Sequence, residues 1–188
     1  MKSLMLYSVH ASGWLFLAVV CCTAAVAGTD GSSPGVFREM LKAAAKECDQ
    51  TFHDEHGKRS FPDVAEGQWT VLDEGKKFFA GECHVGKAEG TWTVFHDHGA
   101  KAVEARFHEG KAEGLWRYWH YNGRLIIEEE YQHGLKNGRV TKWSKYNGVK
   151  WLSGTYKDGK MDGTWTFWND DGKLDREEIW KDDVRISP

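Results

Sequence analysis

Proline is almost missing from this chain. Of 188 residues three are proline, and none lies between Pro62 and Pro188. Proline cannot donate to a strand ladder, so residues 63–187 are free to pair without interruption. Cysteine is scarce too, with four residues, which excludes a disulfide-dense scaffold. No apolar run reaches the ~20 residues of a membrane-crossing helix. Neither sign of charge dominates: 25 basic against 28 acidic side chains give a net charge of −3. That balance argues against nucleic acid and against tight binding to anionic lipid. There is no Walker loop, no G-x-S-x-G string and no nucleophile set beside a base. The expectation is a protein that is not an enzyme and carries no cofactor or metal.

What is present is repetition. The strings GKAEGTW (86–92), GKAEGLW (110–116), GLKNGRV (134–140) and GKMDGTW (159–165) start 24, 24 and 25 residues apart. A second glycine series lies between them at Gly75, Gly99, Gly123, Gly148 and Gly172. A shared period of this length marks stacked supersecondary units, and such arrays mostly bind rather than catalyse. Turn formers precede the glycines, as in Asn122-Gly123, Asn147-Gly148, Asp158-Gly159 and Asp171-Gly172. Asn-Gly and Asp-Gly predict type I′ hairpin turns. Between the turns the segments are rich in aromatic and β-branched residues. The fold class this predicts is mainly β: one elongated antiparallel sheet of tandem hairpins.

The aromatics fall in rows. Trp69, Trp92, Trp116, Val140 and Trp165 open successive units, and Leu72, Phe95, Trp119, Trp143 and Trp168 follow three residues later. A third row holds Cys83, Phe107, Tyr131, Tyr156 and Trp180. Side chains alternate faces along a strand, so the first two rows should face opposite ways. The Trp92, Trp116, Trp165 row is expected to be core. Phe95, Trp119, Trp143 and Trp168 are the candidate binding strip, recurring every ~9 to 10 Å. An extended peptide, a partner's surface or a glycan could use it.

The pattern G-x-x-x-G-x-W, an aromatic three residues on, Asn-Gly or Asp-Gly, then Tyr-x-x-Gly, resembles the MORN repeat. It is closest to the variant found in tandem in many bacterial proteins, some labelled antitoxin components. The resemblance covers about residues 67–188 and departs at Val140, where tryptophan is replaced, and at Asp182-Asp183, which stands where a turn glycine should be. It implies a non-catalytic binding or scaffolding module with a protein partner, and a monomer before an oligomer. The alternative it raises is an immunity or antitoxin-like protein that neutralises a toxin.

Residues 1–27 read as a signal peptide, with Lys2, an apolar stretch from Trp14, and Ala25-Val26-Ala27 before Gly28. This predicts an exported protein of the periplasm or exterior. Residues 28–66 then hold a linker, a capping helix and a decayed repeat, and 67–188 the array. Ser33-Pro34 suits a helix start. Phe37, Met40, Leu41, Ala44, Cys48 and Phe52 recur at helical spacing, which makes an amphipathic cap for the first edge strand. After loss of the leader two cysteines remain, and an even count in an exported chain predicts the disulfide Cys48–Cys83.

Two other constellations point to chemistry and are outweighed. His96 and His120 share a repeat position, in a row with Asp73, Ser144 and Asn169. Two imidazoles could begin a metal site, but these residue types are also what a turn-capping position collects. Glu128, Glu129 and Glu130, with Glu104, Glu177 and Glu178, could offer paired carboxylates. They read instead as a solvated face or a blunted edge.

Overall fold

The computed structural model describes residues 4–8, 38, 41, 67–73 and 76–187. The chain divides into two compact units, Met1–Gly110 and Lys111–Pro188. The first contains β1 (Leu4–Ser8), β2 (Gly67–Asp73), β3 (Lys76–His84), β4 (Lys87–Phe95) and β5 (Lys101–His108). β2 to β5 pair antiparallel in sequence order. β1 pairs with β2 in parallel, Leu4 opposite Gln68 and Ser8 opposite Leu72. A parallel neighbour cannot come from a hairpin and needs a long connection, which 9–66 supplies.

The second unit contains β6 (Lys111–Trp119), β7 (Leu125–Gln132), β8 (Leu135–Trp143), β9 (Lys150–Lys157), β10 (Lys160–Met161), β11 (Gly163–Trp168), β12 (Leu174–Lys181) and β13 (Val184–Ser187). These pair antiparallel, each with the next in sequence, except that β9 bonds both the short β10 and β11. The fold is thus mainly β and made of tandem antiparallel hairpins. Of the capping helix, Arg38 and Leu41 are described; both are helical and Leu41 is buried. Phe37, Met40, Ala44, Cys48 and Phe52 lie outside the described residues.

The two glycine series make different turns. In the Gly86 series both central residues have positive φ, for example His133 at 52° and Gly134 at 90°, as a type I′ turn requires. Asp182 and Asp183 keep this geometry at 50° and 66° without a glycine. The Asn-Gly series does not form type I′ turns, contrary to the expectation from the dipeptide. At 120–123 only Gly123 is left-handed, and its N–H donates to the His120 carbonyl at 2.8 Å. Asn122 is engaged through its side chain instead: Oδ1 accepts from Arg124 N at 3.1 Å and Nδ2 donates to the Lys145 carbonyl at 3.0 Å. The same link joins Asn147 Nδ2 to the Asp170 carbonyl at 3.2 Å, so these side chains tie each turn to the next.

The spacing of 25 has its cause in this series. The turn closed by Gly148 N and the Ser144 carbonyl, at 2.9 Å, spans 144–148, one residue longer than 96–99, 120–123 or 169–172. A second irregularity recurs in every copy. Tyr118 pairs with Ile127 but Trp119 with Leu125; Lys142 pairs with Leu152 but Trp143 with Lys150. Each hairpin therefore carries a β-bulge that leaves one residue unpaired, at Phe78, Ala102, Ile126, Trp151 and Asp175. A bulge bends its strand and re-aims a side chain.

The core is the first aromatic row. Trp92, Trp116, Val140 and Trp165 are all buried. So are Cys83, Phe107 and Tyr131 of the third row, while Tyr156 and Trp180 pack half-buried against Val140, Leu152 and Trp165. In two units the indole is seated on a glycine. A Cβ at Gly81 would collide with the Trp92 ring, and one at Gly154 with the Trp165 ring.

Candidate functional site

The second aromatic row is half-buried throughout. Phe95, Trp119, Trp143 and Trp168 all hold intermediate exposure, neither sealed nor free. Around the longest turn this row opens into a pocket of about 440 Å³. Ile126 and Ile127 of β7, and Lys142 and Trp143 of β8, line it. Ser144, Lys145 and Tyr146 come from the turn, Trp151 from the bulge of β9, and Asp170 from the following turn.

Two local events shape this place. The extra turn residue accompanies an outward Tyr146, 80% exposed, where Tyr121 of the shorter turn is 48% exposed. The bulge position holds buried Ala102 and Ile126 in the two preceding hairpins, half-buried Phe78 and exposed Asp175 in the outer ones, and here Trp151, 39% exposed. Lysines lie over the rings: Lys142 Nζ is 5.6 Å from the Trp151 centroid, Lys145 Nζ 5.2 Å from Tyr146 and Lys150 Nζ 3.8 Å from Trp168. Lys150 also pairs in register with Trp143, so it joins two members of the row. Sequence reasoning picked Trp143 and Trp168 but missed Tyr146, Trp151 and the three lysines. The one signal was the step of 25 in place of 24.

Two members of the acidic cluster depart from the solvated face that its composition suggested, while Glu177 is exposed and Glu104 half-exposed. Glu129 is 1% exposed. Its Oε1 accepts from the hydroxyls of Tyr118 and Tyr131, both at 2.9 Å, and Lys136 Nζ lies 2.7 Å from Oε2. Glu178 is also buried. It accepts from Arg176 Nε at 3.0 Å, Trp180 Nε1 at 3.1 Å and Arg185 Nη1 at 3.4 Å. The Arg176 hydrogen bond, then that from Trp180, holds its carboxyl below the usual carboxylate range. Glu128 and Glu130 stay half-exposed, with Glu128 bonded to Arg117 Nε at 2.9 Å.

Other charged repeat positions serve the turns. Glu89 accepts from the Glu109 amide at 3.0 Å and meets His108 Nδ1 at 3.0 Å; the His108 contact is the main reason that its carboxyl is held low. Glu113 accepts from the His133 amide at 2.9 Å in the same way. That is why the string reads GKAEG: its glutamate clamps the next hairpin turn. The histidine row does the same work, with His96 buried and stacked on His98, and His120 Nδ1 accepting from Asn122 N at 3.3 Å. Among the described residues no three His, Cys, Asp or Glu side chains are grouped to hold a metal ion. Cys83 is buried, and Cys48 lies outside the described residues.

Comparison with known proteins follows the repeat. Residues 112–133 and 161–182 match the MORN repeat variant. No curated protein matches the chain. Among solved structures, the crystal structure of TarM is 11% identical with a TM-score of 0.35, over 76% of this chain and 27% of that one. A complex of GtfA/B bound to UDP and GlcNAc is 12% identical with a TM-score of 0.29, over 70% and 27%. The chain thus spans about a quarter of those proteins. Likeness at this level establishes neither a shared fold nor a shared activity.

Proposed function

This chain is a MORN-repeat protein, and on that premise we propose that it acts by binding, without catalysis, as an exported interaction module with a protein partner. Such repeats generally serve as binding modules. The observation that carries the reading is the second aromatic row: Phe95, Trp119, Trp143 and Trp168 stay half-buried while the first row is sealed. Aromatics left in reach of solvent on a strand face are what interface anchors require. Export rests on the leader-like 1–27 and its Ala25-Val26-Ala27 site.

The test is capture of partners by the protein lacking 1–27, from periplasmic extract, against its Trp143→Ala and Trp168→Ala variants. Loss of a specific partner with retained melting temperature is the expected result. Equal capture by wild type and both variants would remove the second row from the interface. A single toxin held at very high affinity would make this an immunity protein rather than a general module.

A further inference from the structure

We propose that the pocket beside the 144–148 turn takes an acidic peptide segment of a protein partner, with one apolar side chain between Trp143 and Trp151 and carboxylates on Lys145 and Lys150. The proposal rests on the reading of the second row as a binding face, and narrows it to one place and one ligand chemistry.

Two departures from the repeat meet at the pocket. Turns of four residues close the hairpins at 96–99 and 120–123 with hydrogen bonds of 2.8 Å, so hairpin closure does not need the fifth residue at 144–148. The turn with that residue presents Lys145 and the exposed Tyr146 at the pocket. The bulge site, apolar and buried at Ala102 and Ile126, here presents an indole. Insertion and bulge together make an open apolar slot.

Charge decides the occupant. The chain is net negative, yet Lys142 and Lys145 line this slot against one lining carboxylate, Asp170, and Lys150 flanks it, paired in register with Trp143. Lys101, Lys136 and Lys181 are ion-paired to glutamate or aspartate. Lys145 and Lys150 make no ion pair among the described residues and rest instead over aromatic rings. An ammonium held over a ring keeps its charge available while its motion is restricted. Lys142, Lys145 and Lys150 cover a face of Trp151, Tyr146 and Trp168 respectively, the faces on which a sugar ring would stack. Carboxylates flanking an apolar anchor complement this surface better than a neutral glycan does.

The experiment follows the indole N–H signals of the full chain by nuclear magnetic resonance during titration with short probes. These are a peptide of one leucine flanked by glutamates, its glutamine and lysine counterparts, chitohexaose, and phosphatidylcholine vesicles containing phosphatidylserine. The acidic peptide should shift the signals of Trp143 and Trp151, leave Trp116 in place, and weaken on the order of tenfold as salt screens the lysines. Lys145→Glu with Lys150→Glu should abolish the shifts at an unchanged melting temperature. Equal binding of the glutamine peptide would keep the binding face and overturn the charge assignment. Shifts caused only by chitohexaose or vesicles would overturn the peptide assignment. No shift from any probe would overturn the proposal outright, and the alanine variants of the second row would then judge the broader reading separately.

Discussion

Val140 and Glu129 face each other across β8 and β7. At two of the corresponding places an indole lies over glycine, Trp92 over Gly81 and Trp165 over Gly154, and in the Trp116 copy the equivalent residue is the small Ala105. Where the seat is a glutamate, the tryptophan has become valine. The missing tryptophan and the buried carboxylate are therefore one exchange, in which the Glu129 side chain and its tyrosine partners occupy the space of a ring.

That exchange predicts coupling. Val140→Trp should destabilise the protein, because indole and carboxylate compete for one volume. Val140→Trp with Glu129→Gly should recover much of the loss, with an interaction energy of ~1–3 kcal/mol in a double-mutant cycle. Glu129→Ala alone strands two tyrosine hydroxyls and Lys136. It should cost about 3 kcal/mol, toward the low end for breaking a buried pair because Lys136 reaches solvent. Gly154→Ala should cost ~1–3 kcal/mol by displacing Trp165. Denaturant melts of these four variants and of Glu129→Gly, which closes the cycle, measure the losses, and simple additivity in the cycle would refute the exchange.

The two aromatic rows should respond differently to truncation. Trp116→Ala empties a sealed core site and should cost ~3–5 kcal/mol. Trp143→Ala and Trp168→Ala remove half-exposed rings and should cost less than half of that. Thermal melts of the three variants check the ranking. Equal losses would mean that both rows are core.

Glu178 predicts an acid-side response. Its carboxyl titrates lower folded than unfolded, chiefly through Arg176. The stability it contributes is therefore full above the ordinary glutamate range and fades as pH falls through the depressed value. Glu178→Gln should lower the melting temperature at neutral pH and flatten its decline on acidification. A wild-type slope that persists in the variant would assign the acid response to other groups.

Export and the disulfide make a linked pair of predictions. Protein recovered outside the cytoplasm should begin at Gly28. Mass spectrometry of the unreduced sample should show Cys48 and Cys83 blocked by each other. Closing that loop should stabilise the fold by about 4 kcal/mol on the chain-entropy estimate. Two free thiols would refute the pairing.

The sequence by itself determined the hairpin array and the identity of its core. The 24-residue period, the turn residues and the first row at Trp92, Trp116 and Trp165 are all local signals, and local turn chemistry with strand alternation is enough to place them. It could not place what depends on pairing across strands. The bulges at Ala102, Ile126 and Trp151 leave no mark in one strand, because they are a mismatch of length between two. Glu129 looked like surface in a run of three glutamates; only the register that sets it opposite Val140, among Tyr118, Tyr131 and Lys136, makes it interior. The pocket is the same kind of fact. The inserted residue was legible as a step of 25, but that it joins Tyr146, Trp143 and Trp151 in one slot was decided by tertiary packing, since these side chains meet through a turn and a bulge rather than through sequence spacing.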